Sequence, residues 1–341
     1  MTEESEKIEV EESASEEPVA VTEESEAIVE EPAAEEPVET AEQDSQSTEG
    51  AVEVSEPKKE SSTVVTPSKS VDKAGAMAAI KAMFSFFTIL PIDINKEEMD
   101  SMNRNFWLVP IIGLFYGCLA VLVFLICDQI FPAIVSVSLT IFAVEAVNRF
   151  LHFDGLIDFG DGLMVAGTRE DHVRALKDTL VGAGGVATAV MMSLLLFSEI
   201  LSLNWGCIAI CLVGAEVLAR FAQTVTACYG IASNGMAGDS VRNMDTEGML
   251  KALVVAVFCI AIGFVVMSLL TFARIDAWPE YHVYISVALA MVVVFGWGVL
   301  MAKISNKNFG FVNGDVLGAT NQTARIVSLL VMILVITNWA W

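Results

Sequence analysis

The chain has 341 residues, a formal net charge of −24 and a mean hydropathy of +0.59, so it is strongly acidic and strongly apolar at once. That combination excludes one uniform soluble body, and nucleic acid is not expected as a partner. The six cysteines all lie in or at the edges of apolar segments, which excludes a disulfide framework and a zinc site.

The charge is segregated. Residues 1–72 carry 23 acidic and 4 basic residues, no Phe, Tyr or Trp, and a recurring Glu-Glu-Pro, as at Glu16-Glu17-Pro18. Such a segment cannot bury enough apolar surface to offset its ordering entropy. It is expected to be a disordered acidic low-complexity tail, either a solvated extension or a docking arm. No positively charged stretch followed by an apolar one opens the chain, so no cleavable signal peptide is expected. Residues 73–341 are expected to form an integral-membrane domain.

The segment 74–90, Ala-rich with Phe84, Phe86 and Phe87 and ending at Pro91, predicts an interfacial helix. Seven stretches then approach the length needed to cross a hydrocarbon core of about 30 Å. They lie near 106–127, 133–151, 183–203, 206–229, 249–272, 281–302 and 324–340. The fold class is therefore all-α, a polytopic membrane bundle of about seven transmembrane helices. Lys and Arg recur in alternate loops: Arg149, Arg169, Arg174 and Lys177 in the second, Arg242 and Lys251 in the fourth, Lys303, Lys307 and Arg325 in the sixth. This places the N-terminus and those loops in the cytoplasm and the C-terminus outside the cell membrane.

The strongest chemical signal is His152-Phe153-Asp154-Gly155-Leu156-Ile157-Asp158-Phe159-Gly160-Asp161-Gly162. Asp154, Asp158 and Asp161 are spaced i, i+4, i+7 and fall within an arc of roughly 60° on a helix. Carboxylates are costly beside lipid, so the cluster calls for a compensating charge. Hard oxygen donors suit Mg²⁺, which commonly bridges carboxylates to substrate phosphates. The three aspartates are thus candidate metal ligands, and the alternative is a solvated, negatively charged helix end.

Other candidates surround them. Arg149 is placed either to hold a phosphate or to pair with Glu145 four residues earlier. His152 reads as a base, as an orienting partner for an aspartate, or as a structural histidine. Lys177-Asp178 followed by Gly182 offers a phosphate contact, a metal ligand or base, and a tight backbone. Asn313-Gly314-Asp315 followed by Thr320 and Asn321 reads as a ligand-facing re-entrant loop, or else as a turn plus helix cap. Gly235-Met236-Ala237-Gly238-Asp239 is a weaker run of the same type. Within the spans, Glu216 and Arg220 are expected to pair at i, i+4, with Glu199 joining them.

These motifs together resemble the cobalamin synthases, the adenosylcobinamide-GDP ribazoletransferases of the last assembly steps of the B12 coenzyme. The family hallmark is similar to His-x-Asp-Gly-Leu-Ala-Asp-Thr-x-Asp-Gly, matched by His152, Asp154, Gly155, Leu156, Asp158, Asp161 and Gly162. Further elements correspond to Lys177 through Gly182 and Asn313 through Ala319, with shorter matches at Phe86 to Pro91 and Pro110 to Leu114. The chain departs from the pattern at Ile157, Phe159 and Leu180, the last standing where the family usually has a second Arg; Arg149 or Arg174 are the candidate replacements.

The resemblance implies Mg²⁺-dependent transfer of adenosylcobinamide phosphate from its GDP-activated form to alpha-ribazole or its 5'-phosphate, releasing GMP. It implies metal on Asp154, Asp158 and Asp161, a base among Asp178, Asp315 and His152, and substrate contacts from Arg149, Lys177, Gly182, Asn313 and Gly314. The expected partners are the corrinoid nucleotide, alpha-ribazole and the lipid bilayer, and a homo-oligomer is compatible with this reading. Two rivals are a CDP-alcohol phosphotransferase, whose pattern has Ala-Arg soon after Asp-Gly where this chain has Leu156-Ile157-Asp158, and a secondary transporter, which would show internal repeats.

Overall fold

The computed structural model describes residues 73–275 and 277–338, all within one compact unit, Pro67–Trp341. The expected acidic tail lies outside the described residues.

An Ala-rich helix, α1 (Lys73–Phe87), leads into α2 (Lys96–Arg104). Asn95 and Glu98 start α2 with a reciprocal capping box, each side chain accepting from the other's backbone N–H at 2.9 Å. Lys81 reaches the same Glu98 at 2.7 Å, tying the two helices together. A 3₁₀ turn, Phe106–Leu108, then feeds α3 (Pro110–Cys127), where Pro at the first helical position sacrifices no intrahelical bond.

After α4 (Ala133–Val147) the chain turns by 91° into α5 (Leu151–Met164). The expected span 133–151 therefore stops short, because Arg149 and Phe150 both adopt φ of +54°. Left-handed backbone at two consecutive non-glycine residues costs about 1–3 kcal/mol each and persists only where neighbours hold it. Here Ile89 N–H donates to the Val147 carbonyl at 2.9 Å, and Arg149 Nη2 to the Phe86 carbonyl at 2.6 Å.

Short α6 (Arg169–Leu176) follows, then α7 (Ala183–Ser202), α8 (Ile208–Tyr229), short α9 (Met236–Asn243), α10 (Thr246–Ile275), α11 (Tyr281–Asn308) and α12 (Gly314–Asn338). Six helices are long and apolar enough to cross a membrane, and the bent α4–α5 pair makes a seventh if counted as one span. The window of α8 is wholly buried, so it is the axis around which α3, α10, α11 and α12 pack. The outward faces of α10 and α11 present Val254, Phe258, Val265 and Val292, each more than half exposed, as the lipid-facing side of such a bundle.

The ionic core differs from the expected pairing. Glu216 and Arg220 do not bond to each other. Arg325 of α12 stands 2.8 Å from Glu145 of α4 and 3.0 Å from Glu216 of α8, while Gln322 donates to both oxygens of Glu145 at 3.0 Å. Arg220 instead stacks between the rings of Phe87 and Tyr116, at 5.1 and 5.2 Å. Two buried carboxylates thus balance two buried guanidiniums, without which each charge would be very costly at this depth. Glu145 is consequently taken from Arg149, and Glu199 stays outside the set, its two buried oxygens without partners among the described residues.

The last span also starts earlier than expected. Segment 303–323 is no re-entrant loop: α11 runs on to Asn308 and α12 begins at Gly314. Asn313 Oδ1 accepts from Val316 N–H at 3.1 Å, so the polar run is a turn plus helix cap, and Thr320 and Asn321 are buried inside the helix bundle.

Candidate active site

The loops bearing the chemical motifs meet at one end of the bundle. Val312 pairs with Ala232 between the α11–α12 and α8–α9 connections, and Ser240 of α9 donates to Asn103 of α2 at 2.8 Å. Arg169 of α6 donates to the Lys307 carbonyl at 3.3 Å. The other connections gather at the opposite end, where Trp205 meets Phe124 and Arg274. Because α4 joins the two ends with only 15 residues, about 22 Å of helix, α5 is drawn toward the bundle interior.

The helix α5 carries the three aspartates as their spacing predicted. Its placement against α12 rests on close backbone approach. A Cβ at Gly155 would lie 2.9 Å from Asp315 Cα and from the Asp315 carbonyl oxygen, and one at Gly318 would lie 3.2 Å from His152 Cα. At Gly155 only glycine admits such contact, and at Gly318 a side chain would push the two backbones apart. Asp315 is thereby set beside the cluster: Asp158 is within electrostatic reach of Asp315, Asp154 and Asp161, and Asp315 of Asp154 and Lys177.

Asp161 has a second duty. Its two oxygens accept the N–H groups of Gly182 and Gly185 at 2.7 Å each, so it caps the N-terminus of α7. Gly182 is required there because a Cβ would come within 2.4 Å of Asp161 Oδ1. Asn313 Nδ2 donates to Asp315 Oδ2 at 2.6 Å and so orients the fourth carboxylate.

His152 is buried, with its Nε2 3.1 Å from Arg220 Nη1 and 3.3 Å from Gln223 Nε2. Guanidinium only donates, so Nε2 accepts and the ring is neutral with the proton on Nδ1. The Asn148 amide nitrogen, Nδ2, lies 3.1 Å from Nδ1. The lone pair of His152 is thus occupied, and the ring ties the buried Arg220 to the start of α5. Arg149 is held away by the Phe86 carbonyl, and Asp178 is exposed, its Oδ1 accepting from Leu180 N–H at 3.0 Å.

Two concavities lie among the motif-bearing elements. One is an open groove of about 640 Å³ along α6, lined by Arg169, Arg174, Lys177, Asp178 and Thr179. The Thr168 backbone N–H and hydroxyl hold the neighbouring Asp171 carboxyl below its ordinary range, which keeps it ionised beside Arg174. The other is a more enclosed cavity of about 220 Å³ with Asp154, Gly314 and Asp315 at its edge. Sequence reasoning missed most of its walls: Phe106 and Asn103 carried no signal, whereas Gln223 completes an i, i+4, i+7 polar stripe with Glu216 and Arg220 that was legible on α8.

The donor set fits a hard divalent cation. Four carboxylates share one neighbourhood, with Lys177 the cation that acts on Asp315. Among the described residues no three of His, Cys, Asp or Glu already enclose a metal position.

Fold and site together define a polytopic, all-helical membrane protein with a cluster of carboxylates at one end of its bundle. The chain belongs to the CobS family, described as cobalamin-5-phosphate synthase, whose model matches residues 79–333. Among curated relatives, the adenosylcobinamide-GDP ribazoletransferase of Methanocella arvoryzae is 33% identical over 262 residues, covering 74% of this chain and 94% of the relative. Proteins of the same name from Methanosarcina barkeri and Clostridium novyi are each 26% identical, covering 75% and 74% of this chain and 91% and 94% of their own lengths. No solved structure matches the chain.

Proposed function

We propose that this protein transfers adenosylcobinamide phosphate from adenosylcobinamide-GDP to alpha-ribazole or its 5'-phosphate, with release of GMP. The observation that carries the reading is the juxtaposition of Asp315 with Asp154, Asp158 and Asp161 across the Gly155 contact, in a chain of this family. Neither rival function accounts for that family match.

Asp154, Asp158 and Asp161 would hold Mg²⁺, Asp161 through lone pairs not committed to α7. When bound, the ion would neutralise the diphosphate and stabilise the leaving GMP. Lys177 and Arg174 bind and orient the phosphates of the donor along the groove, Arg174 standing in for the cation missing at Leu180. Asp315, at the edge of the enclosed cavity, accepts the proton of the attacking hydroxyl while Asn313 holds its other oxygen. In-line placement of the two substrates supplies much of the acceleration. His152 positions α5 and donates no proton to the reaction. Purified protein in lipid nanodiscs should release one GMP per donor consumed when alpha-ribazole and Mg²⁺ are both present. Donor consumption without GMP would overturn the reading.

The positive loops at the site end support a cytoplasmic active site in the cell membrane, with the 128–132 and 203–207 connections outside. A cysteine introduced at Thr179 should resist a membrane-impermeant maleimide in intact cells, while one at Gln129 should react. The reverse pattern would invert the topology.

A further inference from the structure

The enclosed cavity is too small for a corrinoid. Its volume of about 220 Å³ leaves room for a small flat heterocycle. Its walls are aromatic and aliphatic, with Phe86, Phe87, Met102 and Phe106 from the N-terminal elements and Leu317 from α12. Flat faces of this kind favour a flat aromatic guest.

Its polar groups are nearly all spent. Ser240 Oγ donates to Asn103 Oδ1, Gln223 Nε2 donates to the Leu317 carbonyl at 2.9 Å, and His152 is bonded on both ring nitrogens. Apart from the Asp154 and Asp315 carboxylates, the Asn103 NH₂ group is what remains to meet a guest. A base with a single ring-nitrogen acceptor and otherwise apolar edges satisfies that inventory. The carboxylates at the rim are then placed for the sugar.

We infer that this cavity is the binding site for the benzimidazole-type base of the acceptor nucleoside, with its ribose at the rim beside Asp154 and Asp315. The inference rests on the transferase reading above and assigns one of its two substrates to one of the two concavities. The donor nucleotide is left to the groove along α6.

The test fills the cavity from α9 with Ala237→Phe and removes its free donor with Asn103→Leu, both in the full-length protein in nanodiscs. Each variant should raise the KM for alpha-ribazole at least tenfold while the KM for adenosylcobinamide-GDP stays within twofold. Equilibrium dialysis with alpha-ribazole alone should show the same loss of affinity, a readout independent of turnover and of the proposed reaction. Should Ala237→Phe fail to elute as a folded species, Asn103→Leu and Phe106→Leu decide the matter. A rise in the donor KM with the acceptor unaffected would put guanine in the cavity and overturn the assignment. Unchanged acceptor affinity in the folded variants would overturn it as well. Wild-type protein that binds alpha-ribazole in this cavity-dependent way yet releases no GMP would support the site and overturn only the reaction.

Discussion

Asp154→Asn should reduce turnover by about a hundredfold or more while the protein still inserts, folds and elutes as the wild type does. The side chain sits at the edge of the enclosed cavity and in electrostatic reach of Asp158 and Asp315. Asparagine preserves its volume and most of its contacts but replaces an anionic oxygen donor by a neutral amide, a far weaker ligand for a hard cation. Losing one group that stabilises developing charge typically costs 10²–10³ in rate. Fold stability should not fall, because the mutation removes one of four mutually repelling carboxylates and breaks no hydrogen bond of the described fold. Asp161→Asn should behave differently: it also weakens the cap on α7, so it should lower thermal stability together with activity. The measurements are GMP release across a Mg²⁺ titration and a melting curve for each variant. Full turnover of wild type in excess EDTA would remove the metal from the reading.

A second large effect is expected at a residue with no functional group. Gly155→Ala should lower kcat roughly 10–100-fold, and Gly155→Val should abolish activity. The added Cβ would lie 2.9 Å from backbone atoms of Asp315, and backbone cannot swing aside as a flexible side chain can. The helices α5 and α12 must therefore separate, carrying Asp154 and Asp158 away from Asp315. Misplacement by about 1 Å is enough to cost on the order of 10²-fold where reacting groups must align. Gly296→Ala on α11 is the control, since a Cβ there meets nothing within 4 Å. It should leave kcat within twofold. Equal effects at the two glycines would mean that helix flexibility, and not the α5–α12 contact, governs turnover.

Much of the architecture was legible from local pattern. Apolar runs of membrane-crossing length located the helices, and an i, i+4, i+7 spacing put Asp154, Asp158 and Asp161 on one face of α5, because both properties depend only on residues close in the chain. Alternating Lys and Arg likewise grouped the motif-bearing loops at one end, where the structure brings them together. The break at Arg149 and Phe150 was hidden, since nothing in an Arg-Phe dipeptide signals left-handed backbone; α1 imposes it from outside through the carbonyl of Phe86.

Partner choice belonged to the tertiary structure. Glu216 and Arg220 have the spacing of an intrahelical pair, yet Glu216 turns to Arg325, and Glu145 finds that same arginine 180 residues away. Such choices follow from how helices are rotated about their axes and how closely they cross, which local periodicity does not encode. The same holds for the site. The sequence determined by itself that carboxylates would cluster on α5; only the glycine contacts between α5 and α12 decided that Asp315 would join them. The aromatic cavity at their edge exists because α1, apolar but too short to cross a membrane, and the short polar α2 and α9 close over that end of the bundle.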